Sequence, residues 1–236
     1  MSNLAIKIRE DLKIIANPKA KEGMQRFFKE PLKCYGMKTG DIVKVMKKHL
    51  GDATSLGKGG MFALCEELFA SGYYEEGIIA GIMADRVAKS FMPGDAATFR
   101  RWVEQYVDNW AECDTFCNHA VGDLIQMYPA VAKEVKGWAG SKNRWLKRAA
   151  AVSFIVPAKR GEFLEEAFEI ADALIGDGDD MVQKGYGWLL KEESRTRQKE
   201  VFDFIVARRV TMPRTALRYA IELMPKEMRA EAMRRP

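Results

Sequence analysis

The 236-residue chain is long enough to bury a substantial core, as one large domain or two small ones, and its 47% hydrophobic and 30% charged residues are ordinary for a globular protein. A net charge of +5, from 38 basic and 33 acidic residues, permits a polyanionic partner without requiring one. No window approaches the roughly 18 apolar residues of a membrane span, and the charges scattered through MSNLAIKIREDLKII do not fit a signal peptide, so a cytoplasmic protein with no membrane partner is expected.

Helix signals run nearly end to end. KTGDIVKVMKKHL offers Thr39 or Asp41 as a cap ahead of an amphipathic turn, and the glycine-rich GDATSLGKGG (51–60) after it reads as a flexible linker. MFALCEELFASG and YYEEGIIAGIMADRV follow as two apolar helices, and PGDAATFRRWVEQYVDNW opens a third. Trp102, Tyr106, Trp110 and Asp114 are spaced by four, which places them on one helical face as an aromatic stripe ending in a carboxylate. The plain reading of such a stripe is core packing, with the acid at its edge. Further amphipathic segments of 11–18 residues, joined by short Gly-, Pro- or Asp-rich turns, continue to MPRTALRYAIELMP, and no alternating strand pattern intervenes.

Three of these segments share a shape. WLKRAAAVSF, MVQKGYGWLL and MPRTALRYAI, aligned on Arg148, Lys184 and Thr215, recur at spacings of 36 and 31 residues. Helical pairs repeating at such intervals mark an α-solenoid, with an irregular bundle as the alternative. Small residues (Ala149, Ala150, Gly185, Gly187) suit close helix approach. In a solenoid Arg148, Lys184, Arg208, Arg209, Arg214 and Arg218 fall on neighbouring rungs, with Lys142, Arg144 and Lys147 beside Arg148, which predicts a basic groove that tracks phosphates. Cys34, Cys65, Cys113 and Cys117 form no CxxC pair, and Cys113, Cys117 and His119 lack the paired spacing of a zinc site, so packed thiols and no metal are expected.

NWAECDTF around Trp110 and Asp114, NRWLKRAA ending past Arg148, and VQKGYGWLLKE around Trp188 resemble the three signature segments of the AlkD-type DNA glycosylases, HEAT-like-repeat enzymes of alkylation repair. The likeness extends upstream through MQRFFKEPLKCYGMKTGDIVKVMKK and covers most of the chain. It implies an all-α, C-shaped solenoid with a basic concave face, a single HEAT-like-repeat domain over residues 1–236, gripping double-stranded DNA that contains alkylated bases. It also implies excision of positively charged N3- and N7-alkylated purines without a cofactor, by a monomer. By motif match Asp114 takes the place of the catalytic carboxylate, Trp110 and Trp188 of paired tryptophans, and Arg148 of a backbone-contacting arginine, with Lys147, Phe27, Thr39 and Lys184 also set against DNA. Phe27 stands where the family pattern often has a tyrosine, and Asn109 where a second tryptophan often precedes the first.

The chemistry suits such a residue set. A cationic alkylpurine leaves as a neutral base, so no general acid is needed, and positive charge builds up on the deoxyribose. One carboxylate near C1′ stabilises that charge and orients the attacking water. Tryptophan faces attract the cation. A helical-repeat module that binds DNA or protein without catalysis is the rival reading; it keeps the basic groove but has no need of Trp110, Asp114 and Trp188 together.

Overall fold

The computed structural model describes residues 2–234, and among them helices follow one another with no strand. The chain divides after Ala120 into two compact units.

The first unit contains α1 (Asn3–Ile14), α2 (Pro18–Gln25), α3 (Thr39–Ser55), α4 (Gly57–Phe69), α5 (Tyr74–Asp85), α6 (Asp95–Tyr106) and α7 (Trp110–Phe116). Local chemistry sets several of their starts. The Ser2 hydroxyl accepts the Ala5 N–H at 3.2 Å, and Asn17 accepts from Lys19 and Ala20 ahead of Pro18, whose fixed φ and missing N–H suit the first helical position. Helix α3 departs from the expected capping. Lys38 is its cap residue, without a side-chain cap bond; Thr39 is already helical, and the Asp41 carboxylate is taken by Lys44 Nζ at 2.8 Å.

The glycine-rich stretch 51–60 is not a linker. It is the end of α3 and the start of α4, with only Leu56 between them. Thr54 and Ser55 turn their hydroxyls back onto the Leu50 and Asp52 carbonyls at 2.7 Å, so the polar residues close the helix on itself. Gly57, at φ +66°, makes the reversal that a side chain would resist.

Behind these helices lies an aromatic core. Phe69, Phe99, Trp102 and Phe116 are buried with ring centroids 5.2–5.8 Å apart, in tilted or edge-on pairs. Helices α5 and α7 approach closely because α5 carries glycine where α7 presses. A Cβ on Gly81 would lie 3.3 Å from the Phe116 backbone, and one on Gly77 would lie 2.5 Å from Glu112 Oε1.

The second unit contains α8 (Gly122–Met127), α9 (Ala132–Gly137), α10 (Arg144–Val152), α11 (Ile155–Ala158), α12 (Leu164–Leu174), α13 (Asp180–Glu193), α14 (Gln198–Arg208), α15 (Arg214–Ala220) and α16 (Lys226–Ala232). The three segments aligned on Arg148, Lys184 and Thr215 are α10, α13 and α15, and they pack on one another in that order, as a helical-repeat solenoid requires. A Cβ on Gly187 would meet the Ala216 carbonyl at 2.7 Å, so this glycine sets the α13–α15 spacing. Asn143 and Asp179 cap α10 and α13 in the same way, each accepting two backbone N–H groups. Arg144 pairs with Asp179 at 2.8 Å and ties the two caps together.

Candidate nucleic-acid interface

The aromatic stripe is broken into two parts. Val107 leaves α6 in an extended conformation (φ −73°, ψ 120°), Asn109 is also extended, and its side chain accepts the Glu112 N–H at 3.0 Å to start a new helix. Trp102 is therefore a fully buried core residue, and Tyr106 ends α6 with its hydroxyl donating to Glu66 Oε1 at 3.1 Å. Trp110 and Asp114 alone share a face, one turn apart on α7, both half-buried.

Trp110 is fixed from outside its own helix. Its ring stacks on Phe28 (centroids 5.6 Å, 17° between planes), Phe28 meets Tyr74 edge-on, and the indole N–H donates to the Phe27 carbonyl at 3.3 Å. Phe27 itself is 73% exposed, in the turn after α2. Thr39 is exposed at the start of α3, where its side chain interacts with the Tyr74 hydroxyl. Between Trp110 and Asp114 on α7, Glu112 points the other way. Burial, reinforced by the charge of Asp108, pushes its carboxyl well above the usual range and favours the neutral form. Of the two acids on α7, Asp114 is the one that reaches solvent.

Loop 31–38, leading into α3, is held by acids of α5. Glu75 is fully buried and accepts the Tyr35 and Gly36 N–H groups at 2.9 and 2.8 Å; burial nonetheless raises its carboxyl above the usual value. Glu76 accepts the Tyr35 hydroxyl at 2.7 Å and pairs with Arg9 at 2.9 Å.

In the second unit, α10 and α13 carry the remaining four residues. Arg148 is 5% exposed; Nη1 donates to the Met181 carbonyl at 2.6 Å, and its stem lies against Gly185, where a Cβ would meet Cγ at 3.3 Å. Lys147 pairs with Asp177. Burial works upward on the Asp177 carboxyl, but Lys147 and the Asp179 N–H prevail and hold it below its ordinary value. Lys184 pairs with Asp180 one turn away at 3.1 Å. Trp188 is half-buried, and its indole N–H donates to Glu192 Oε1 at 3.0 Å, while Arg195 holds the other carboxylate oxygen. Farther along, Arg208 pairs with Asp172, and Arg214 and Arg218 are exposed. Several of the cations that the repeat pattern collects are thus matched by acids, on the same helix for Lys184, in the turn before α13 for Arg144 and Lys147, and on α12 for Arg208.

Sequence reasoning missed two supports. Phe28, which stacks on Trp110, lies 82 residues away and leaves no local signal. Glu192 was visible in principle, because the spacing of Trp188 and Glu192 is that of a helical i, i+4 pair. The four cysteines are buried thiols, and among the described residues no group of three or more His, Cys, Asp or Glu is placed to hold a metal. No described helix is long and apolar enough to cross a membrane.

Residues 8–224 match the family model of the DNA alkylation repair enzymes. A solved structure, a predicted DNA alkylation repair enzyme from Enterococcus faecalis, is similar at a TM-score of 0.80, covering 89% of this chain and 97% of its own at 17% identity, a likeness of fold. No curated protein matches.

Proposed function

This chain belongs to the family of DNA alkylation repair enzymes, and from that premise we propose that it is a DNA glycosylase that excises cationic N3- and N7-alkylated purines from duplex DNA. The observation that carries the reading is on α7. A half-buried carboxylate, Asp114, shares one face with a tryptophan whose ring and N–H are both fixed before any substrate arrives. Preorganised charge is what stabilises a developing sugar cation, because it costs no rearrangement at the moment of reaction.

In this reading the alkylated base departs with the C1′–N bond electrons and becomes neutral. Asp114 stabilises the oxocarbenium-like deoxyribose and orients the water that attacks C1′. Trp110 offers an electron-rich face to the cation. Trp188, whose indole N–H is held by Glu192, is assigned the role of the paired tryptophan by its motif match alone. Arg148, Lys147, Lys184 and Thr39 are assigned to the DNA backbone, which positions the strand without reading its sequence. Arg148 is already fixed by the Met181 carbonyl, so a phosphate contact at its edge would cost little side-chain entropy.

The test is incubation with duplex DNA containing N7-methylguanine, followed by chromatography. Free 7-methylguanine and an intact strand bearing an abasic site are expected, since water attacks and no lysine Schiff base forms. DNA binding with no base release would instead identify a non-catalytic helical-repeat module.

A further inference from the structure

The turn that carries Phe27 is held more firmly than an exposed loop needs to be. Gln25, the last residue of α2, donates its side-chain amide to the Phe28 carbonyl at 3.2 Å and to the Glu30 carbonyl at 2.8 Å. Its amide oxygen accepts the Leu32 N–H at 2.8 Å. The Phe27 N–H is bonded to the Met24 carbonyl and the Phe28 N–H to that of Gln25, while Trp110 takes the Phe27 carbonyl. One carboxamide thus gathers residues 28–32 around itself.

The same order seats Phe28 against Trp110 and Tyr74, but the Phe27 side chain at its apex is 73% exposed and takes no part in that packing. Fixing a backbone costs conformational entropy, and exposed turns ordinarily avoid that cost by moving. An exposed aromatic on a fixed backbone is instead preorganised for a ligand. The surrounding charge says which kind. Between Lys19 and Lys38 the chain carries six basic residues, all exposed, against two acids, Glu22 and Glu30. An aromatic among cations is the pattern of a nucleic-acid surface, in which the cations follow phosphates and the ring packs on a base or sugar.

We propose that Gln25 is a positioning residue, which sets Phe27 as an apolar contact against the DNA duplex beside Trp110. The inference rests on the DNA-facing reading of the first unit but not on base excision. Its physical signature differs from that of a phosphate contact. Phe27 releases no counterions, so its contribution to affinity is independent of salt, whereas each phosphate contact steepens the fall of affinity with salt.

The experiment is fluorescence anisotropy with a fluorescein-labelled duplex, undamaged or carrying a tetrahydrofuran abasic analogue, at several salt concentrations, with melting temperatures for every variant. Phe27→Ala is expected to weaken binding about 5- to 30-fold with an unchanged salt slope, and Phe27→Trp to restore it. Gln25→Ala is expected to weaken binding about 3- to 10-fold in the native background and less than about 2-fold in Phe27→Ala, since it acts through that ring. Gln25→Glu keeps the acceptor for Leu32 but loses both donated bonds, and it should behave like Gln25→Ala. A Gln25→Ala loss of the same size in both backgrounds, or a Phe27→Ala loss that flattens the salt slope, overturns the inference and leaves the glycosylase reading standing. Failure of base release with this binding pattern intact overturns the glycosylase reading alone. Failure of the native protein to bind DNA removes both.

Discussion

Each unit buries two consecutive glutamates on a helix that supports its candidate residues, and the two pairs are used differently. Glu75 and Glu76 of α5 are fully buried, yet between them they accept two backbone N–H groups, a tyrosine hydroxyl and an arginine, so their charge is spent on fixing the segment that leads into α3. In α13, Glu192 pins Trp188 and pairs with Arg195, but its neighbour Glu193 is fully buried with no hydrogen-bond partner for either oxygen among the described residues. Burial, offset in part by Arg197 and reinforced by Glu166 and Glu162, pushes the Glu193 carboxyl up to about 8. A buried acid is tolerated either by supplying it with donors or by keeping it protonated, and this protein does both.

That comparison can be broken by substitution. The largest expected effect is at Glu75. Glu75→Ala strips the Tyr35 and Gly36 N–H groups of their acceptor, and at about 1–3 kcal/mol for each orphaned donor the loss should reach roughly 2–6 kcal/mol in urea unfolding. A loss below 1 kcal/mol would mean that water replaces the carboxylate and the anchor is not needed.

Glu193→Gln should act in the opposite direction. A carboxyl raised in the folded state stays protonated while the unfolded chain ionises, so native stability is full below about pH 4.5 and declines as pH rises to about 8. The amide removes that decline. Urea unfolding should show the variant close to the native protein at pH 4.5 and more stable by a few kcal/mol at pH 8. A pH-independent difference would show that Glu193 titrates as an ordinary carboxylate. The smallest effect belongs to Glu192→Ala, which leaves the Trp188 indole N–H without its acceptor and should cost about 1 kcal/mol, with a change in near-ultraviolet circular dichroism as the ring loosens. Glu192→Gln keeps an acceptor oxygen and should change the spectrum less.

How much of this was legible in the sequence depends on the range of the interaction. The helical class, the succession of α10, α13 and α15 and the close approach at Gly187 follow from periodicity and small residues, which are local signals. The stripe through Trp102 and Asp114 failed because four-residue spacing is blind to an interruption. The interruption did have a signal: Asn109 followed three residues later by Glu112 is a helix-start pattern inside the presumed helix. The linker expected at 51–60 was misread from glycine content alone, although hydroxyls bonded back to the helix leave those residues helical. What fixes Trp110 could not be read at all, since Phe27 and Phe28 meet it only once α2 and α7 have packed into the same unit.

The central claim is that Asp114 acts by its charge. The most direct measurement is single-turnover excision of N7-methylguanine by Asp114→Asn, a substitution that keeps size and hydrogen-bonding capacity while removing the charge. The account predicts a rate lower by about 100- to 1000-fold, on a protein with unchanged melting temperature and equal or tighter DNA binding, because repulsion with phosphates is relieved. A near-native rate on an equally stable protein would contradict it, and a fall in activity that tracks a fall in melting temperature would make Asp114 a structural residue.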